Sequence, residues 1–237
     1  MKIKVLKKEE IDEIVANRIC ALISKKQNLI LGLATGSTPL GVYKKLIEKY
    51  KNKEVTFEDV KTFNLDEYIG LPPTHNQSYR YFMDNNLFDH IDIKKENTFF
   101  PDNKTETPEV YDKQIEFLGG IDFQILGIGS NGHIAFNEPN TPFDTKTHIV
   151  NLTDSTILDN SRFFDDINKV PQQAVSMGLD TILKAKEIVL IATGKNKAKA
   201  IKQLITENPN TNLPASILKY HKSTTIYCDK DALSLIK

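Results

Sequence analysis

Residues Gly120–Asn140 read GIDFQILGIGSNGHIAFNEPN, and this stretch decides the fold class. Phe123 to Ile128 is a short apolar run without alternation, the pattern of a strand buried on both faces. Gly127, Gly129 and Gly132 then release the backbone into a loop where most side chains would obstruct φ/ψ or a close approach. His133 comes directly after, Glu138 five residues later, and Pro139 makes the chain turn. Open α/β sheets place their chemistry at the end of such a buried strand.

The same alternation extends in both directions. Leu29–Leu33 predicts a strand running into Ala34-Thr35-Gly36-Ser37-Thr38-Pro39, with Thr38 as helix N-cap, Pro39 at the first helical position and a helix to about Tyr50. Val60–Leu65 predicts a strand that delivers Asp66-Glu67-Tyr68 at its C-terminal end. Ala185–Thr193 is another buried-strand run, followed by Gly194 and a Lys-rich helix to about Thr206. Strands are expected at Lys2–Val5, His148–Leu152 and Thr224–Cys228, and helices at Glu9–Ile23, Ser78–Leu87, about Pro108–Leu118 and Leu213–Leu218. Lys94–Lys104 is polar and turn-rich. No repeat or flexible linker divides the chain, so residues 1–237 are expected to form a single α/β domain. Its architecture is a mostly parallel, Rossmann-like sheet with helices on both faces. The polar segment at about 153–174 fits a lid over a site.

Composition excludes several function classes. Lys+Arg and Asp+Glu both number 31, so no global basic field points to nucleic acid or an anionic membrane. Cys20 and Cys228 stand far apart in apolar segments, as core thiols of a reducing compartment do. The N-terminal MKIKVLKKEEIDE is too polar for a signal peptide and no 18-residue apolar run exists, so a cytoplasmic protein is expected. No cluster has metal-ligand spacing.

Among the residues able to carry chemistry, Gly127-x-Gly129-x-x-Gly132 formally matches a dinucleotide fingerprint, but the following HIAFNEP is a poor helix start. Gly36, Ser37 and Thr38, at a strand-to-helix junction, offer backbone N–H groups and hydroxyls to a phosphate monoester, or Thr38 simply caps the helix. Asp66 and Glu67 point to opposite sides of a strand and are no acid/base dyad; one could enter the crevice while the other faces solvent or caps a turn, or both are satisfied turn residues. His133, with Glu138 to orient it, is a candidate general acid or base. His75, His90, His148 and His221 lie in polar surroundings and read as surface or loop residues. Arg162 and Lys197 could complete a phosphate site, or stay solvated.

Taken together, LGLATGSTPLGVYKKL, FNLDEY, THNQSY and ILGIGSNGHIAFNEP resemble the glucosamine-6-phosphate deaminase (isomerase) family over about Leu31–Lys199. The resemblance implies conversion of glucosamine 6-phosphate to fructose 6-phosphate and ammonia, in amino-sugar catabolism. It implies Asp66 as the base that moves the C2 proton to C1, His133 as the ring-opening group and Glu138 as its orienter. Gly36, Ser37, Thr38, Arg162 and Lys197 match its phosphate site, and no metal or redox cofactor is implied. The partner is a small sugar phosphate; monomer and homo-oligomer both stay open.

Two departures stand out. Asn131 replaces an aspartate of some members, keeping a hydrogen-bonding group at the site without its charge. His148 and Val150 stand where allosteric members carry a basic pair, and the chain ends soon after its last strand, which implies insensitivity to N-acetylglucosamine 6-phosphate. A 6-phosphogluconolactonase of the same fold is disfavoured by FNEP and by the Asp66 motif. A sugar-phosphate sensor is disfavoured because neither a DNA-binding segment nor a basic field is evident.

Overall fold

The computed structural model describes residues 1–104, 106–153, 157–158, 166 and 170–236. Among these residues, seven strands form the main sheet: β1 (Lys2–Val5), β2 (Ile30–Leu33), β3 (Lys61–Asn64), β5 (Thr98–Phe99), β6 (Phe123–Leu126), β9 (Glu187–Ala192) and β10 (Thr224–Cys228). Their order is β1-β10-β9-β6-β2-β3-β5, and every neighbouring pair is parallel. A second, antiparallel sheet of three strands has the order β4-β8-β7, with β4 at Asp66–Tyr68, β7 at His148–Asn151 and β8 at Gln173–Ser176.

Burial on both faces explains why the central strands read as continuous apolar runs. Along β9, Val189 and Ile191 face one core while Ile188, Leu190 and Ala192 face the other. The first core is covered by α1 (Lys8–Ile23) and α2 (Leu40–Lys51). α1 buries Ile11, Val15, Ile19 and Ile23, a stripe at four-residue spacing. The second core lies under α5 (Leu179–Leu183) and α6 (Ala198–Thr206), which insert Leu179, Ile182, Ile201 and Leu204. α3 (Tyr79–Asn86) begins at Ser78, whose hydroxyl accepts from Tyr81 N–H at 3.0 Å, and α4 (Val110–Phe117) packs Tyr111 and Ile115 into the second core.

Several expectations change. Asp66 does not end β3; after Leu65 the chain passes into the small sheet, and Asp66 opens β4. Thr38 is not the N-cap of α2, because Pro39 is already in helical conformation and its carbonyl accepts the first helical bond, from Tyr43 N–H at 3.0 Å. Strand β5, inside the turn-rich Lys94–Lys104 segment, and strand β8 were not anticipated. The expected lid falls mostly outside the described residues, and its last two, Gln173 and Ala174, belong to β8. His221 is not a free loop residue: its ring bridges Ala185 O at 2.7 Å and Thr224 Oγ1 at 2.9 Å.

Candidate active site

Because the main sheet is parallel, the C-terminal ends of β2, β3, β6 and β9 share one edge. From β2 the chain moves outward to β3, whereas β6 lies on the other side and leads to β9. The β2/β6 boundary is therefore a topological switch point, where the diverging connections leave a crevice. The loops after β2 and β6 meet there: a Cβ on Gly127 would lie 3.5 Å from Thr38 Oγ1. The hydroxyl expected to cap α2 thus lies against the glycine loop instead.

The Thr35–Thr38 loop joins β2 to α2 through a left-handed turn at Gly36. Gly36 has φ +81°, a left-handed conformation that glycine adopts without strain, and nothing would touch a side chain there. The Tyr43 hydroxyl, buried under α2, donates to Ala34 O at 2.6 Å. In a planar trans peptide this turns the Thr35 N–H the opposite way. Lys197 ends a 3₁₀ turn (Lys195–Lys197) after β9, at the same sheet edge. That turn starts at Gly194, φ +90°, whose N–H is held by the Asp229 carboxylate at 3.0 and 3.1 Å. Arg162 lies outside the described residues.

The loop after β6 opens no helix, which removes the dinucleotide reading of its glycines. It folds back instead through Gly129 N–H to His133 O at 2.9 Å and a bridge between Ile134 and Asn137. A Cβ on Gly129 would fall 2.5 Å from the His133 ring, so that glycine makes the space the imidazole occupies. Glu138, 7% exposed, places one carboxylate oxygen 3.2 Å from His133 Nδ1, within ion-pair distance but off the line of a hydrogen bond. Its other oxygen accepts from Asn131 Nδ2 at 2.6 Å, and Asn131 Oδ1 accepts from His133 N–H at 3.1 Å. Asn131, His133 and Glu138 thus form one unit, with the amide serving the carboxylate and the loop backbone.

Asp66 and Glu67 diverge, as adjacent strand residues must. Glu67 neither faces solvent nor caps a turn. It receives N–H bonds from Tyr68, Tyr79 and Arg80, each at 2.9 Å, and so caps the N-terminus of α3. Asp66, 7% exposed, has no hydrogen-bond donor among the described residues. Burial, aided by the nearby Glu67 charge, pushes its carboxyl up to about 8.

The small sheet joins Asp66 to the histidine loop through residues that sequence reasoning missed. Ser176 is the ladder partner of Asp66, and its buried hydroxyl accepts from Phe136 N–H at 3.1 Å. Asn137, fully buried, donates to Ile134 O at 3.0 Å and Met177 O at 2.8 Å. Phe136 packs against Tyr68 and Tyr79, with ring centroids at 5.9 and 6.1 Å. Asn137 was readable as part of FNEP, whereas Ser176 carried no local signal. Among the described residues no group of three or more His, Cys, Asp or Glu side chains could hold a metal ion.

With this geometry in view, residues 7–227 match the family model described as glucosamine-6-phosphate isomerases/6-phosphogluconolactonase. The chain belongs to that family. Within it, the chain is 55% identical over 232 residues to a glucosamine-6-phosphate deaminase of Thermoanaerobacter sp. (strain X514), covering 96% of this chain and 92% of that one. It is 51% identical to one of Clostridium beijerinckii over the full length of both chains. A solved monomeric glucosamine-6-phosphate deaminase superposes with a TM-score of 0.95 at 40% identity, covering 99% of this chain and 100% of that one. The 6-phosphogluconolactonase of Trypanosoma brucei, with a TM-score of 0.80 at 19% identity over 100% of this chain and 98% of that one, shares the family fold. No helix among the described residues is long and apolar enough to cross a membrane.

Proposed function

We propose that this chain isomerises and deaminates glucosamine 6-phosphate, giving fructose 6-phosphate and ammonia. One observation carries the reading: a buried carboxylate with no donor among the described residues, Asp66, stands beside a loop that holds an Asn131–Glu138–His133 unit. A base at carbon needs to be strong and unencumbered, and burial without a partner makes Asp66 both. The family membership and the full-length identity to deaminases support the same reaction.

The phosphate sits in the Gly36–Thr38 loop, with Arg162 and Lys197 as its positive partners. His133, oriented by Glu138, moves a proton at the ring oxygen as the pyranose opens, and Asn131 keeps Glu138 in place. Asp66 then takes the C2 proton of the open-chain aldehyde, forming a 1,2-enolamine, and returns it to C1. The product is a C2 imine; water adds to C2, the C–N bond breaks and ammonia leaves. Sugar phosphate plus water therefore balances to ketose phosphate plus ammonia.

The test is a parallel assay of ammonia and fructose 6-phosphate for the purified protein and for Asp66→Asn. Equal amounts of both products from the wild type, and a loss of at least about 100-fold in the variant, are expected. Product formation that survives in Asp66→Asn removes that residue as the base. A folded wild type that yields no ammonia overturns the reaction itself.

A further inference from the structure

The phosphate loop is tethered from outside by a contact that the reaction scheme does not use. Lys8, in the first turn of α1, donates through Nζ to the Thr38 carbonyl at 3.0 Å. The same ammonium pairs with Asp12, one turn along α1 and 6% exposed. The Asp12 carboxylate presses against Gly41 in the first turn of α2, where a Cβ would overlap it. There it also meets the positive end of that helix. Lys8, Asp12 and the start of α2 thus form one packed unit directly behind Thr38.

The peptide that Lys8 holds is a special one. Thr38 precedes Pro39, so the Thr38–Pro39 peptide carries an oxygen but no N–H. The peptides from Thr35 to Thr38 can each turn a donor to an anion; this one can offer only a repelling carbonyl. We propose that Lys8, held by Asp12, is a positioning residue for phosphate recognition: it fixes the Thr38 carbonyl toward α1 and so keeps the loop open to a phosphate monoester. The proposal rests on the reading of Gly36–Thr38 as the phosphate site. Lys8 acts through the backbone, touches no substrate atom and has no part in proton transfer.

The experiment measures KM for glucosamine 6-phosphate, kcat, and the competitive inhibition constant of inorganic phosphate. It compares the wild type with Lys8→Met, Lys8→Gln, Lys8→Arg and Arg18→Met. Arg18 serves as control because it also anchors α1, through Glu187 at 2.6 Å, yet among the described residues forms no hydrogen bond or ion pair with the loop. Lys8→Met and Lys8→Gln should raise KM and the phosphate constant together by about tenfold, the size of one lost charge-assisted hydrogen bond, with kcat within about twofold. Lys8→Arg should stay near wild type, and Arg18→Met should move neither constant. The proposal is overturned if both constants stay within about twofold in the neutral Lys8 variants, or if Arg18→Met shifts them equally. It also falls if only kcat drops. Failure of the underlying site reading looks different: inorganic phosphate then does not compete with substrate in the wild type, and the role of Lys8 falls with it.

Discussion

At Asp66 the requirements of folding and of the proposed proton transfer oppose each other. Its carboxyl is raised from an ordinary 3.8 to about 8, first by burial and then by the neighbouring Glu67 charge. A group whose folded pKa lies above its unfolded one binds its proton more tightly in the folded state. Its contribution to stability is fully present below about pH 4 and is lost as pH rises through about 8. Asp66→Asn should therefore melt several degrees above the wild type at pH 8.5, with the gap closing near pH 4; equal melting temperatures at both pH values would contradict the burial argument. Catalysis runs in the other direction, since only the carboxylate can take a proton from carbon. The kcat/KM profile should accordingly climb toward an acid limb near pH 8. The residues proposed for this chemistry stood out in the sequence as a local pattern. His133 and Glu138 stand five apart in a glycine-rich loop, and their pairing is local. The task of Glu67 was not legible, because the backbone it caps begins twelve residues later, in α3.

At the scale of elements, the site depends on how the histidine loop docks on β8. Ser176 receives the Phe136 N–H, and Asn137 reaches the Met177 carbonyl. Together they fix the His133–Glu138 loop one strand away from Asp66. Ser176→Ala leaves the Phe136 amide without its partner in a buried setting, which loosens that register. The expected result is a fall in kcat of about tenfold with KM nearly unchanged, largely restored by Ser176→Thr, which keeps the hydroxyl. A KM rise at constant kcat would show instead that the contact serves binding. Nothing in QAVS announces a strand of this importance: it is four residues long and its partners, β4 and β7, are remote in sequence. Strand β4 was hidden for a different reason. Leu65 alone separates it from β3, and a hydrophobic run does not show where a chain changes sheets.

For the molecule as a whole, the alternation of strand and helix predicted a covered parallel sheet, and the apolar runs at β2, β6 and β9 predicted buried strands within it. Strand order was beyond that reading, since pairing between distant segments depends on packing rather than on local pattern. That order places the Gly36–Thr38 loop and Lys197 at the edge of the large sheet, while Asp66 rides on the small one. Inorganic phosphate should therefore raise the melting temperature of Asp66→Asn as much as that of the wild type; loss of that shift in the variant would join the two sites into one. The sheets are stitched together at Leu65, whose N–H donates to Leu33 O at 3.2 Å and whose carbonyl accepts from Met177 N–H at 2.7 Å. This division of labour has a consequence for how such chains can diverge. On the proposed reading the Gly36–Thr38 handle for a six-carbon phosphate sits on the large sheet, and the tool, the Asp66 base that works near the sugar's other end, sits on the small one. A lineage could exchange the tool and keep the handle, acquiring a new reaction on the same class of sugar without rebuilding the sheet that holds it.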